Sequence, residues 1–192
     1  MNLPNKITIA RICLIPIFMI VLMCGHYCDW FYYNIAAALI FGLASATDGI
    51  DGHIARSRNL VTDFGKFMDP LADKLLVCTA LICFIELDWM PAYMAVIIIA
   101  REFLVTGLRT IAASKGIVMA AIMTGKIKTV IQMIAIICTM VFAYDFSFLP
   151  FSFGTICGYP SVGFVTMAIS TLFTIYSGYE YIARNVDLIK EM

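Results

Sequence analysis

The sequence predicts an all-α, polytopic membrane protein with six transmembrane helices and a cytosol-facing cavity that holds the functional site. Of its 192 residues, 62% are hydrophobic and only 14% are charged, whereas about a quarter of the residues in soluble globular domains are charged. The apolar residues form six stretches of roughly 20 residues, the length that a helix needs to cross a bilayer. We therefore expect residues 1–192 to form a single transmembrane domain.

The spans are predicted, in chain order, near residues 7–26, 33–57, 67–87, 90–113, 122–144 and 161–183. Pro4 opens the first span, which lacks the small-residue cleavage site of a signal peptide and is therefore expected to be retained. The second span follows an aromatic run at residues 30–33. In the third, Pro70 is expected in the first helical turn, where its missing N–H costs little. The fourth is an apolar run interrupted by the charged residues Arg101 and Glu102. The positive charges of the fifth and sixth spans lie near their cytoplasmic ends.

The positions of Lys and Arg predict the orientation in the membrane. The connections at residues 26–33, 86–91 and 145–160 contain no Lys or Arg. The aromatic residues on this side of the membrane, including Trp30, Trp89 and Tyr93, are expected to anchor the chain at the interface. The opposite ends carry the positive charge, as Lys6, Arg11, Arg56, Arg58, Lys66, Lys74, Arg109, Lys115, Lys126, Lys128, Arg184 and Lys190. The positive-inside rule therefore places both termini and residues 47–52 (TDGIDG) in the cytoplasm. We expect a multi-pass protein of the plasma (inner) membrane.

Four aspartates lie where the second and third spans approach the cytoplasm. Asp48 lies about 13 Å along its helix from Ser57, at ~1.5 Å per residue, and Asp51 is one turn nearer to that end. An ionisable group at such depth predicts a functional site. On the third span Asp69 and Asp73 are separated by four residues and lie one turn apart. Because a short link joins the two antiparallel helices, we expect the four carboxylates to converge on one cavity.

A converging set of carboxylates predicts a site for divalent cations, because the four groups would repel one another without cations between them. Oxygen ligands without His or Cys favour Mg²⁺ or Mn²⁺ over zinc. Gly52 and Ala55, on the same helix face, leave room for a ligand near the backbone, and Arg56 at the edge of that face is suited to phosphate oxygens. The simpler alternative, in which the aspartates form ion pairs with Arg56, Arg58 or Lys74, would explain one aspartate more easily than four.

The fixed positions of residues 48–73, D-x-x-D-G-x-x-A-R, eight residues and then G-x-x-x-D-x-x-x-D, resemble the signature of the CDP-alcohol phosphatidyltransferases, with both gaps intact. The segments NLPNKIT, AREFLVTGLR and GKIKT are similar to members that use sn-glycerol 3-phosphate. The resemblance implies transfer of the phosphatidyl group of CDP-diacylglycerol to the 1-hydroxyl of sn-glycerol 3-phosphate, with release of CMP. It also implies a homodimer, two divalent ions held by Asp48, Asp51, Asp69 and Asp73, and a role for Asp73 as the general base.

The resemblance and the remaining charges suggest binding residues for both substrates. For CDP-diacylglycerol we expect Gly52, Ala55, Arg56 and Gly65 of the signature, with Asn5, Thr8 and Arg11 of the first span as further candidates. The signature does not name the acceptor, and a dianionic phosphate needs two or three cations. We therefore predict that Arg101, Arg109 and Lys126 bind the glycerol phosphate, with Glu102 holding one of the arginines. Lys115, Lys128 and Lys190 are expected instead to extend toward lipid phosphates.

Several alternatives stay open on the sequence alone. Within the family, the acceptor could be phosphatidylglycerol, as in cardiolipin synthases, or serine or inositol phosphate. A divalent-cation or proton-coupled transporter would also use buried acids on facing helices, but it would need exits on both sides and has no need of Gly52, Ala55 and Arg56. A membrane prenyltransferase would carry its acidic motifs on well-separated helix pairs of a longer chain. A nucleic-acid partner is not expected.

Overall fold

The computed structural model describes residues 3–27, 31–57, 63–115, 122–143 and 155–186; within these ranges, the side chains of 3–8, 26, 31, 48–57, 63–67, 69, 70 and 73 are not described. The described chain contains six α-helices and one hairpin of two short strands. In chain order these are α1 (Leu3–Tyr27), α2 (Phe31–Ser57), α3 (Asp63–Glu86), α4 (Ala92–Ser114), α5 (Met123–Phe142), β1 (Thr155–Ile156), β2 (Tyr159–Pro160) and α6 (Ser161–Arg184).

Each helix overlaps one of the predicted spans, so the predicted helical fold class is confirmed for the described residues. Two local features differ from the prediction. The antiparallel hairpin β1–β2 turns at Cys157 and Gly158, both with positive φ, as in the two-residue turns that match the twist of paired strands. Helix α3 begins at Asp63, so Pro70 lies inside the helix and the prediction that it occupies the first turn is wrong. The prediction failed because the length of an apolar run does not indicate whether the helix begins earlier, with polar turns that precede the run.

The helices present an apolar surface typical of a membrane protein. Within the described residues, α5 and α6 are long and apolar enough to cross a membrane, judged by length and composition. Large aliphatic side chains are more than one-third exposed on several helices, among them Ile20, Leu39, Leu43, Ile82, Val96, Ile134 and Leu172. A water-soluble monomer rarely exposes so much apolar surface, whereas lipid tails would cover it. The crossing of all six helices stays a prediction.

The interior is formed by helix-to-helix packing around apolar side chains. Helix α1 packs against α2 and α3, which also touch each other, while α6 packs against α4 and α5, and α2 reaches α5. Phe18 of α1 and Phe41 of α2 are fully buried with ring centroids 5.8 Å apart. This arrangement places the helices that carry the aspartates on one side of the bundle and α4, α5 and α6 beside them.

The connection from α3 to α4 shows why one aromatic residue does not lie at the membrane interface. The backbone N–H of Trp89 donates to the carbonyl of Phe84, and the N–H of Asp88 donates to that of Ile85. Asp88 has φ 54°, so the helix ends in a Schellman motif with a left-handed residue after its last turn. The accompanying apolar contact joins the Phe84 and Trp89 rings at 5.6 Å. Trp89 is therefore buried in the core, and its predicted role as an interface anchor is wrong, whereas Tyr93 is exposed.

Candidate functional site

The two helices that carry the signature aspartates lie side by side. Asp48 and Asp51 are on α2, Asp69 and Asp73 are on α3, and these helices touch each other and share α1 as a neighbour. The side chains of these four residues lie outside the described part of the structure, as do those of Gly52, Ala55, Arg56, Gly65, Asn5 and Thr8. Their predicted roles therefore stay predictions, made for positions on adjacent helices.

The chemistry of this donor set fits a hard divalent cation. All four groups offer carboxylate oxygens, the ligands that Mg²⁺ and Mn²⁺ prefer. Among the side chains that the structure describes, no group of three or more His, Cys, Asp or Glu could hold a metal ion. The metal hypothesis rests on the sequence spacing and the oxygen chemistry of the four aspartates.

Arg11 is the one candidate for the nucleotide-linked substrate whose side chain is described. It lies on α1, the helix packed against both aspartate-bearing helices. Its side chain is buried, with a relative exposure of 2%. A guanidinium inside a membrane domain is costly unless an anionic or polar group accompanies it. The position is compatible with a phosphate ligand, and the assignment stays a prediction.

The three cations predicted to bind the acceptor line a single cavity of about 200 Å³. Arg101 and Arg109 come from α4, where a spacing of eight residues places them on one face, and Lys126 comes from the first turns of α5. Helix α6 closes the cavity with Ser177 and Tyr181, one turn apart. Three positive side chains from two helices therefore surround one small space, and such a space suits an anion of modest size.

Arg101 reaches the cavity from near the middle of α4 and is held on two sides. Its Nη2 donates to Ser177 Oγ of α6 at 2.8 Å. Its Nη1 lies 3.5 Å from Glu102 Oε1 on its own helix, which confirms the expected pairing of Glu102 with one of the arginines. The Nε atom is buried without a partner in the described structure. A buried donor left in this state is usually satisfied by water or a ligand.

Arg109 lies closer to the end of α4 and rests on an aromatic ring. Its Nε donates to Tyr181 Oη at 3.2 Å, and its Cζ lies 5.4 Å from the centroid of the same ring. A guanidinium over an aromatic face gains electrostatic attraction without losing its outward-facing donors. Tyr181, itself 3% exposed, thus orients Arg109 while leaving other N–H groups for a ligand.

Lys128 does not extend toward lipid. Its side chain is 1% exposed, and its Nζ forms an ion pair with Glu102 Oε1. The snorkelling predicted for Lys128 is therefore wrong. The reason is geometric: Lys128 lies on the face of α5 turned toward α4, where Glu102 supplies a carboxylate inside the bundle.

A second polar connection joins the cavity to α3. Lys74 Nζ donates to Thr106 Oγ1, and Thr106 Oγ1 donates to the carbonyl of Glu102 at 2.8 Å. Thr106 lines the cation cavity, and Lys74 directly follows Asp73 in the chain. The backbone that carries Asp73 is therefore close to the wall of this cavity.

Thr124, Ser177 and Tyr181 are lining residues that the sequence did not single out. Thr124 Oγ1 is buried without a partner in the described structure, as is Arg101 Nε, so two residues that line the cavity each have a buried polar atom without a partner there. The i, i+4 spacing of Ser177 and Tyr181 was the available signal, since it places two polar groups on one face of an apolar helix. Only packing identifies which helix that face meets.

Comparisons with known proteins agree with the signature. The family model for CDP-alcohol phosphatidyltransferase matches residues 1–176. A protein of Bacillus subtilis (strain 168) named CDP-diacylglycerol--glycerol-3-phosphate 3-phosphatidyltransferase is 45% identical, with 98% of this chain and 97% of that protein covered. A Rickettsia felis protein of the same name is 38% identical, with 94% of this chain and 93% of that protein covered.

Proposed function

Because the chain belongs to the CDP-alcohol phosphatidyltransferase family, we propose that it transfers the phosphatidyl group of CDP-diacylglycerol to the 1-hydroxyl of sn-glycerol 3-phosphate. The products are phosphatidylglycerophosphate and CMP. The observation that carries the choice of acceptor is the cavity in which Arg101, Arg109 and Lys126 come together. The printed names of the relatives in Bacillus and Rickettsia point to the same acceptor.

The proposed setting is the plasma (inner) membrane, with six spans, both termini and the site on the cytoplasmic side, and two copies of the chain in a homodimer. The distribution of Lys and Arg supports this orientation, and the exposed aliphatic side chains support contact with lipid. The substrates supply a further reason, because the nucleotide of the donor is water-soluble while its acyl chains belong in the bilayer. The reaction must then take place at the interface.

Asp48, Asp51, Asp69 and Asp73 are proposed to hold two divalent ions, Mg²⁺ or Mn²⁺, consistent with the general dependence of the family on divalent metals. When bound, such ions neutralise negative charge on the pyrophosphate of the donor and on the departing CMP. Gly52, Ala55 and Gly65 leave space for the nucleotide near the helix backbones, and Arg56, with Asn5, Thr8 and Arg11, provides polar contacts to it.

The chain's own residues would carry out the proton transfer and the positioning. The carboxylate of Asp73 accepts the proton of the acceptor's 1-hydroxyl while the hydroxyl oxygen attacks the phosphatidyl phosphorus. One P–O bond forms to the acceptor, the P–O bond to CMP breaks, and CMP leaves with the electron pair. The hydrogen-bonded path from Lys74 through Thr106 supports this division of labour, because it ties the helix carrying Asp73 to the cation cavity.

The charge of the cavity suits a phosphate dianion. The carboxylate of Glu102 is shared between the buried Lys128 and Arg101, so one negative charge faces two cations and the surroundings of the cavity keep a net positive charge. Arg101, Arg109 and Lys126 then remain to contact phosphate oxygens, and charge-assisted contacts of this kind are about twice as strong as neutral hydrogen bonds. Serine, a zwitterion without a phosphate group, and phosphatidylglycerol, which carries one phosphodiester charge, would make less use of these cations.

The direct test is turnover by the purified protein in detergent micelles. With Mg²⁺ or Mn²⁺, CDP-diacylglycerol and radiolabelled sn-glycerol 3-phosphate, we expect label in the lipid fraction and one CMP released per lipid formed. In parallel reactions, serine, inositol phosphate or phosphatidylglycerol replaces sn-glycerol 3-phosphate as the acceptor. Turnover with one of these and none with glycerol phosphate would contradict the acceptor assignment but retain the family chemistry.

A further inference from the structure

The stem of Arg101 passes through a narrow slot on its way to the cavity. A Cβ atom added at Gly178 of α6 would lie 3.2 Å from Arg101 Cγ, closer than nine in ten real contacts of a Cβ atom. A Cβ added at Gly125 of α5 would lie 3.6 Å from Arg101 Nη2, an ordinary van der Waals distance. The tight wall of the slot is therefore Gly178, beside the stem of the side chain.

The same helix also holds the head of Arg101. Ser177, which precedes Gly178 in the chain, is 1% exposed and accepts a hydrogen bond from Nη2. Glu102 lies beside Nη1. Contacts at the stem and at both Nη atoms restrict a long side chain that otherwise has many rotamers. A guanidinium ordered before the ligand arrives loses less entropy on binding.

We propose that Gly178 and Ser177 are positioning residues that hold Arg101 against the cavity and thereby set the affinity for the phosphate of the acceptor. This inference rests on the proposed function, since it assigns Arg101 to the acceptor. Neither residue performs chemistry. Gly178 supplies the space through which the stem passes, and Ser177 fixes the direction of the guanidinium.

A packing role predicts a different pattern. Small residues between membrane helices often serve only to let backbones approach, and α4 packs against α6. Gly163, on the same helix, provides the control for this effect. A Cβ at Gly163 would lie 3.1 Å from Thr139 Cγ2, an equally tight contact with α5 that does not involve Arg101 or the cavity.

The experiment compares Gly178→Ala with Gly163→Ala in the steady-state assay, with each substrate varied in turn. We expect Gly178→Ala to raise KM for sn-glycerol 3-phosphate about three- to tenfold, the cost of forcing one side chain away from its preferred rotamer. Its KM for CDP-diacylglycerol should change less than about twofold. Gly163→Ala should leave both KM values unchanged while lowering the thermal midpoint. Equal effects of the two variants on the acceptor KM would overturn the proposal.

Ser177→Ala provides a second variant that introduces no steric conflict. Loss of its hydroxyl should raise the acceptor KM about two- to fivefold, and an unchanged acceptor KM in this variant would also refute the positioning role. If Gly178→Ala does not fold, Ser177→Ala alone decides the question.

A binding measurement separates this inference from the proposed reaction. Inorganic phosphate should raise the thermal midpoint of the wild-type protein, and about three to ten times more phosphate should be needed for the same rise in Gly178→Ala. If the wild type does not use glycerol phosphate yet shows this difference, the proposed reaction fails and the positioning role stands. If the wild type turns over glycerol phosphate, and Gly178→Ala and Ser177→Ala match it in acceptor KM and in phosphate response, the positioning role fails and the proposed reaction stands.

Discussion

The buried ion pair between Glu102 and Lys128 offers the sharpest test of how the structure holds its cavity. Lys128 is 1% exposed, and its ammonium pairs with the same Glu102 oxygen that lies 3.5 Å from Arg101 Nη1. Replacing Glu102 with Gln removes the negative charge and leaves a buried ammonium beside a neutral amide. Breaking one side of a buried pair typically costs about 3–5 kcal/mol.

Removing the other partner of the ion pair, by Lys128→Met, should reduce the free energy of unfolding by less. Glu102 is 21% exposed, and it keeps Arg101 as a neighbour, so its charge is neither fully buried nor isolated. We expect about 1–3 kcal/mol for this change, which is the usual loss of a hydrogen bond to a charged group. The double variant Glu102→Met with Lys128→Met removes both charges. Apolar replacement of a whole buried pair is often neutral or stabilising, so the double variant should be more stable than Glu102→Gln.

The assay is thermal unfolding in one detergent, with all variants at equal protein concentration. For a chain of this size, about 1 kcal/mol corresponds to roughly 2–4 °C, so Glu102→Gln should lower the midpoint by about 6–20 °C. Lys115→Met, at an exposed lysine beyond α4, is the control and should change the midpoint by less than about 2 °C. Acceptor binding should be weaker in the double variant than in the wild type, because Arg101 has lost its contact with the Glu102 carboxylate. A Glu102→Gln midpoint equal to that of the wild type, or a double variant no more stable than Glu102→Gln, would refute the reasoning.

Four further outcomes are expected. Arg109→Ala should raise the acceptor KM about 10- to 100-fold, since it removes a charged contact, with KM for CDP-diacylglycerol unchanged; a rise in both would argue against a dedicated acceptor cavity. Asp73→Asn should lower kcat at least ~100-fold while metal-dependent binding of CDP-diacylglycerol persists, and full activity would place the base elsewhere. Chelation should abolish turnover, and Mg²⁺ or Mn²⁺ but not Zn²⁺ should restore it; activity in excess chelator would exclude the metal hypothesis. Trp89→Ala should destabilise the fold by about 3–5 kcal/mol, measured by thermal unfolding, whereas the exposed Tyr93→Ala should change it little; equal effects would contradict the buried position of Trp89.

The helices were largely predictable, because their lengths follow from the bilayer. An apolar run of about 20 residues has few alternatives to a helix in lipid, and each of the six helices in the described chain overlaps a predicted span. The predictions failed where neighbouring residues compete with the hydrophobic pattern. Helix α3 begins before its apolar run, so Pro70 lies inside it, and Trp89 is drawn into the core by the helix-ending motif at Asp88.

The candidate site divides in the same way between local and long-range information. The spacing of Asp48, Asp51, Asp69 and Asp73 is a property of two helices joined by a short link, so the sequence was sufficient to predict that the helices carrying them are neighbours. The metal chemistry of the four carboxylates stays a prediction. The sequence also determined that Arg101 and Arg109 share a face of α4, because residues i and i+8 are among the positions that form one broad face of a helix.

Only the tertiary structure decided which helices meet that face. It brings Lys126 of α5 and Ser177 and Tyr181 of α6 to the arginines of α4, and it turns Lys128 inward to Glu102, away from lipid. Helical periodicity relates residues within one helix, but it carries no information on the rotation of that helix against its neighbours. That rotation is set by the packing of the helices against one another. The close approach of Gly178 to the Arg101 stem, which leaves little room for a Cβ atom, is one such packing contact.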